Sequence, residues 1–111
     1  MSRLLAVVCL CLLALSASTA AQAHPRPFPS WWLRAALCVH QHEGSWHANT
    51  GNGFTGGMQF LDSTWLSNGG GRYAARAFLA SPHEQLHVAF VLWQRAGWGP
   101  WPNTSRMCGL R

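Results

Sequence analysis

Two cysteines, Cys38 and Cys108, stand toward the two ends of the part of this chain that can fold, and they narrow its possible folds more than any other feature. The other two, Cys9 and Cys11, lie in an unbroken apolar run from Leu4 to Leu15, behind Met1-Ser2-Arg3 and ahead of Ala21-Gln22-Ala23. One early positive charge, an apolar stretch too short to cross a membrane and an A-x-A ending describe a secretory signal peptide. Cys9 and Cys11 follow Val8 and Leu10, where a lipid-attachment site would need a small residue. Taking residues 1–23 from the 111 leaves 88, enough for one small domain. Export to an oxidising compartment predicts that Cys38 and Cys108 form a disulfide rather than two buried thiols. Closing a loop of that size contributes about 4 kcal/mol in the chain-entropy model, which matters in a domain with a modest core.

Every basic residue is an arginine. Once Arg3 is removed, the remaining arginines exceed the three acids by four, with histidines neutral. They are scattered, which argues against a nucleic-acid partner. An exported basic protein is expected to meet an anionic cell wall or membrane surface. Most of the seven tryptophans are expected in the core, with one or two lining a carbohydrate cleft.

The organisation is read as signal peptide 1–23, an extended Pro-rich leader 24–29 and one domain over 30–111. The fold class is α+β and mainly α, with one short β-hairpin and one disulfide. Ser30 is placed to cap a helix from Trp31 to about His42, with Leu33, Ala36, Leu37 and His40 on one face. "NTGNG" (49–53) reads as a turn between two short strands. Asp62 or Ser63 is placed to cap a short helix through Thr64 and Trp65 that ends at Asn68-Gly69-Gly70-Gly71. Residues 72–80 read as irregular. Ser81-Pro82-His83-Glu84 is a capping box opening a helix that runs to Gly97 and is apolar nearly all round, hence central and buried. The tail from Gly97 reads as a loop pinned by Cys108.

"HEQLH" (83–87) matches the H-E-x-x-H motif of zinc peptidases, which sets two histidines one helical turn apart with a glutamate as base. The match is read as chance. Glu84 already has a structural task in the capping box, and a catalytic zinc ordinarily takes three protein ligands. Downstream of His87 no His, Asp or Glu follows, and Cys108 alone has a ligating side chain. His40, His42 and His47 lie upstream, and His40 and His42 are two apart, on different sides of a helix.

The informative stretch is "HEGSWHANTGNGFTGGMQF" (42–60). It places one acid, Glu43, where a helix ends and a glycine-rich hairpin begins. Five of the eleven glycines fall here, and missing side chains let a chain-like substrate approach the backbone closely. Asn49, Asn52 and Gln59 offer amides that both donate and accept, which suits hydroxyl-rich or acetamido sugars. Asp62 and Glu84 have capping explanations, so Glu43 is the candidate catalytic acid, with Trp46 expected beside it. A general acid must still carry its proton near neutrality, and burial of a carboxyl favours that state.

The run "GSWHANTGNGFTGGMQF", followed by "STW", "NGG", "YA", "EQL", "VA" and "GWGPWP" ahead of Cys108, resembles the catalytic domain of resuscitation-promoting factors, within the wider transglycosylase-like, lysozyme-fold domains. The resemblance covers nearly all of 31–110, and its most specific part is the Asn-Thr-Gly-Asn-Gly stretch before Gly-Gly-x-Gln-Phe. It implies a small lysozyme-like domain that cleaves the glycan strand of peptidoglycan with one glutamate, and a disulfide matched by Cys38 and Cys108. It also implies that Glu84 is a cap glutamate and that His83 and His87 ligate nothing. The family's glutamate directly follows its cysteine, and two more residues separate it from the tryptophan. Here Cys38 precedes Glu43 by five positions, and an ungapped count back from Trp46 reaches Gln41. Glu43 is preferred because Gln has no acidic proton.

Hydrolytic glycosidases generally use two carboxylates, and Asp62, the only other candidate, reads as a cap. The expectation is therefore a single-glutamate muralytic enzyme of lytic transglycosylase or lysozyme type, with Asn52, Gln59, Thr64, Trp46 and Trp65 meeting the sugar and with no metal or cofactor. The alternative is a catalytically weak wall-binding or resuscitation-signalling module of the same fold. Expected partners are peptidoglycan strands, the anionic wall and a peptidoglycan endopeptidase; nucleic acid is not expected, and the protein is expected to be a secreted monomer. The mature protein should begin near His24 and hold no free thiol. Intact mass before and after alkylation checks both, and one cysteine alkylated without reduction would remove the Cys38–Cys108 bridge.

Overall fold

The computed structural model describes residues 28–111; the signal peptide and residues 24–27 of the leader lie outside the described residues. Helix α1 spans Ser30–Glu43. Ser30 is its first residue rather than its cap. Pro29 holds the capping position in extended backbone, with no side-chain cap, and its carbonyl accepts from the Leu33 amide at 3.0 Å. Proline suits a helix start because its ring fixes φ. The end of the leader is packed rather than extended into solvent. Phe28 is buried, with its ring 5.2 Å from Trp32 and 6.0 Å from Phe90.

The buried stripe of α1 is rotated from the expected face. Trp32, Ala36 and Val39 are fully buried, whereas Leu37 is exposed. An indole buries more apolar area than a leucine, so the helix turns Trp32 inward. Its ring packs edge-on against Phe90 at 5.0 Å and stacks with Trp98 at 6.1 Å. The spacing 32, 36, 39 continues to 43. Glu43 therefore ends the core stripe of α1, while Gln41 is on the exposed side.

Strands β1 (Phe54–Thr55) and β2 (Phe60–Leu61) form an antiparallel hairpin, with Phe54 opposite Leu61 and Thr55 opposite Phe60. Its turn is Gly56-Gly57-Met58-Gln59. The "NTGNG" stretch expected to be the turn is instead the approach to β1, touching it through an isolated Asn49–Thr55 bridge. Gly57 is required by crowding. A Cβ there would fall 2.3 Å from the Trp46 ring and 2.6 Å from His40 Nδ1. Trp46 and His40 stack at 3.7 Å, and the His40 ring meets the Gly57 carbonyl at 2.8 Å. The room left by Gly57 is thus filled by the protein and is not open to a ligand.

Helix α2 (Asp62–Ser67) follows at once. Leu61 is its capping residue and offers no side-chain cap; Asp62 is its first residue. The Asp62 carboxylate instead accepts from Arg76 Nε at 3.1 Å. Asn68 closes the helix by donating to the Thr64 carbonyl at 2.8 Å. The irregular stretch contains two 3₁₀ turns, Gly70–Arg72 and Ala77–Leu79.

Helix α3 (Pro82–Ala96) begins with the expected capping box. The Glu84 amide donates to Ser81 Oγ at 3.1 Å, and the Ser81 amide donates to Glu84 Oε1 at 2.8 Å. It is buried along one face of its first turns (Gln85, Leu86, Val88, Ala89) rather than all round, and Gln94, Arg95 and Ala96 are exposed. The tail expected to be a loop contains helix α4 (Pro102–Met107), with proline in its first turn. The disulfide joins α1 to the end of α4, with 6.0 Å between the Cys38 and Cys108 Cα atoms. No helix among the described residues is long and apolar enough to cross a membrane.

Gln85, wholly buried, connects three segments. Its Oε1 accepts from the Gly57 amide at 2.8 Å, and its Nε2 donates to the carbonyls of Trp46 (2.9 Å) and Ala80 (3.0 Å). Gln85→Leu would leave those groups buried without partners at about 1–3 kcal/mol each, so a loss of roughly 3 kcal/mol is expected. Denaturant unfolding of the two proteins measures it; a change under about 0.5 kcal/mol, the ordinary surface range, would show the hub to be dispensable.

Candidate active site

A cleft of about 330 Å³ opens where the C-terminus of α1, the hairpin and the start of α4 meet. Glu43, Asn52, Phe54, Gln59, Trp101 and Thr104 line it, together with Pro100, Pro102 and Asn103. A second hollow of about 200 Å³ shares Phe54, Gln59, Pro100 and Trp101 and extends past Leu61, Thr64 and Leu92. The pair forms one groove with Glu43 at one end and an apolar floor at the other.

Glu43 is half-buried, and Thr104 Oγ1 donates to its Oε1 at 2.7 Å. Thr104 is itself buried, so the contact is shielded from bulk water and holds one carboxylate oxygen in a fixed direction. The contact engages Oε1 alone. Opposite stand two amides with complementary tasks. Asn52 Oδ1 accepts from the Phe54 amide at 3.0 Å, which leaves its NH₂ as the donor for a ligand. Gln59 Nε2 donates to the Gly56 carbonyl at 2.9 Å, which leaves its carbonyl oxygen as the acceptor. Gln59 also has a φ of +50° and is the only non-glycine residue with positive φ among the described residues. A left-handed backbone is unfavourable for a side chain of this length and persists where the surroundings enforce it, which is frequent at ligand sites.

The profile of the transglycosylase-like domain matches residues 30–104. This chain belongs to the transglycosylase-like domain family. The resuscitation-promoting factor RpfB of Mycolicibacterium smegmatis is 50% identical over 80 residues, covering 72% of this chain and 22% of the relative. Resuscitation-promoting factor Rpf2 of Corynebacterium glutamicum is 42% identical over 82 residues, 74% of this chain and 21% of its own length. The Rpf of Micrococcus luteus is 44% identical over 79 residues, 71% and 33% respectively. The chain thus corresponds to between a fifth and a third of these relatives. The structure is that of a small lysozyme-like domain, mainly helical, with a two-strand hairpin and the Cys38–Cys108 bridge, in keeping with the family.

Within this transglycosylase-like domain the expected site residues separate into two groups. Glu43, Asn52 and Gln59 meet in the main cleft, and Thr64 lines the adjoining hollow. Trp46 and Trp65 do not reach either. Trp46 is half-buried on His40, and Trp65 is fully buried with its indole N–H donating to the Ala74 carbonyl at 2.9 Å. Full burial makes Trp65 a packing residue, and Trp46 stacks on His40 outside both hollows. The aromatic rings that do line the cleft are Phe54 and Trp101; Trp101 donates from Nε1 to the Met58 carbonyl at 2.8 Å. Asp62 is absent from both hollows, held by Arg76.

The H-E-x-x-H histidines have separate partners. His83 packs on Phe28 at 5.7 Å, and His87 Nδ1 meets the Tyr73 hydroxyl. Burial, then the positive charge of Arg72 and of His83, lowers the His87 pKa below the ordinary histidine value. Glu84 stays in the capping box.

Sequence reasoning missed Thr104 because "PNTSRM" was read as loop; Pro102, suited to a helix's first turn, was the available sign. Thr104→Val keeps the shape and removes the donor. If Glu43 is the proton donor, turnover of a peptidoglycan substrate should fall about tenfold or more, as loss of a hydrogen bond to a charged group of about 1.5–3 kcal/mol implies. Thr104→Ser should restore the rate, and an unchanged rate in Thr104→Val would show that the contact does not matter.

Proposed function

We propose that this chain is a secreted muralytic enzyme that cleaves the β-1,4 bond from N-acetylmuramic acid to N-acetylglucosamine in peptidoglycan, with Glu43 as its only catalytic carboxylate. One observation carries the reading. Among the described residues, Glu43 is the sole acid lining the groove, it is oriented by Thr104, and it faces a donor–acceptor amide pair. Membership of the transglycosylase-like family, among relatives named resuscitation-promoting factors, supports action on a glycan strand, and the net positive charge suits an anionic wall surface. A peptidoglycan endopeptidase is the expected protein partner, and the enzyme is expected to act as a monomer.

The chemistry follows from having one carboxyl. Oε2–H of Glu43 protonates the glycosidic oxygen, the C1–O bond breaks, and positive charge develops at C1 of the muramic acid. With no second carboxylate in the groove to act as nucleophile or to activate water, the nucleophile comes from the substrate. The sugar's 6-hydroxyl attacks C1 while the Glu43 carboxylate takes its proton, which forms a 1,6-anhydro end and regenerates the acid. The Asn52 NH₂ and the Gln59 carbonyl suit the oxygen and N–H of an acetamido group, and Thr64 can hold a hydroxyl further along. The reaction as proposed calls on no metal or cofactor.

Glu43→Gln should lower turnover by on the order of 10²–10⁴-fold while the protein still binds insoluble peptidoglycan. Asp62→Asn should leave turnover unchanged. Mass spectrometry of the released muropeptides should show products one water lighter than hydrolysis gives. Turnover that survives Glu43→Gln would exclude the assigned acid, and binding without turnover by the wild-type protein would make it a wall-binding module.

A further inference from the structure

The sulfur atoms of Cys38 and Cys108 and a ring nitrogen of His42 all lie within 4.8 Å of one another. Two come from α1, where Cys38 and His42 are four residues apart and so lie on the same side of the helix one turn apart. The third comes from the end of α4. His42 is exposed, and both cysteines are partly exposed, so the cluster is open to solvent and to an external thiol. It is outside the glycan groove, and no step of the proposed reaction uses it.

We propose that when the Cys38–Cys108 bridge is reduced, Cys38, His42 and Cys108 form a site for a thiophilic divalent cation of the zinc class. An external dithiol reduces the bridge with two electrons, becomes its own disulfide, and leaves a hydrogen on each cysteine sulfur. The cation then displaces both thiol protons to solvent and binds two thiolates and the neutral imidazole. Donors bound to zinc at about 2.0–2.3 Å in a tetrahedron stand about 3.5–3.8 Å apart. The folded protein holds these three within reach of that spacing, so the sulfurs need only separate modestly. Soft thiolates with one imidazole match zinc-class ions, and the fourth position falls to water. A newly made chain begins with free thiols, so this form precedes the bridge and ties α1 to α4 by coordination.

Cobalt(II) is the probe, because tetrahedral thiolate coordination gives it intense visible bands and near-ultraviolet sulfur-to-metal charge transfer. The mature protein is reduced under argon with a phosphine, desalted and titrated, beside the oxidised protein and reduced His42→Gln. Expected is one equivalent bound by the reduced protein with thiolate bands, and none by the oxidised protein. His42→Gln should bind roughly tenfold or more weakly, the scale at which even outer partners alter metal affinity. If reduction unfolds the metal-free chain, cobalt or zinc should restore its helical circular dichroism. The proposal is overturned by a reduced protein without thiolate bands, by equal affinity and spectrum in His42→Gln, or by an unfolded reduced chain that metal does not refold. None of these readouts depends on glycan cleavage.

Discussion

The amide of Gln85 reaches from α3 to the hairpin turn, to the residue after the end of the α1 connection and to its own approach segment, and it is wholly buried while doing so. A neutral amide suits this position because its two ends satisfy opposite kinds of backbone group at no cost in buried charge. The hairpin contributes only two short pairs and is marginal alone. Docked on Gln85 it becomes a fixed wall, and Asn52 and Gln59 inherit their places from it. The tryptophan core acts in parallel. Trp32 holds α1 against α3, and Trp101 fastens the start of α4 to Met58 in the turn. The three walls of the groove are thus set by separate contacts to one core.

The groove's chemistry is limited by what it lacks as much as by what it holds. A second carboxylate would serve a hydrolase, but Asp62 is turned to Arg76 and Glu84 to the amide of Ser81. Each of the two is placed near a helix N-terminus, where a negative charge is favoured. With both so engaged, Glu43, whose helix ends inside the cleft, is the acid available to the proposed reaction.

Features set by local chemistry could be read directly from the residues. The capping box at Ser81 and Glu84, the start of α1 near residue 30 and the position of Glu43 at its end follow from short-range rules. The misreadings arise where tertiary contacts decide. The glycines at 56 and 57 looked like room for a ligand, yet Gln85, Trp46 and His40 occupy that room. Trp65 looked like a sugar platform, yet it is core. The sequence 102–107 is rich in residues of modest helix propensity, so α4 was hidden until its packing on α1 and the bridge to Cys38 supplied what propensity does not. Thr104 was hidden with it. The buried face of α1 differs from the one drawn through Leu33, Ala36, Leu37 and His40 because that face leaves out Trp32, whose indole buries more apolar area than a leucine.

The stripe Trp32, Ala36, Val39 and Glu43 has a consequence for how related chains are to be compared. Each residue along α1 turns the side chain by about 100°, so one insertion or deletion inside the helix would swing the acid away from the groove. The segment between Gly44 and Trp46 is under no such constraint, since its length changes the path of a loop and leaves the direction of α1 alone. Four residues bring a helical side chain back to nearly the same direction, so Glu43, one turn past Val39, keeps the direction of the stripe although it stands five positions after Cys38. An alignment anchored on the glycine-rich hairpin would pair the family's glutamate with Gln41, which lies on the exposed side of α1, rather than with Glu43, which ends the buried stripe.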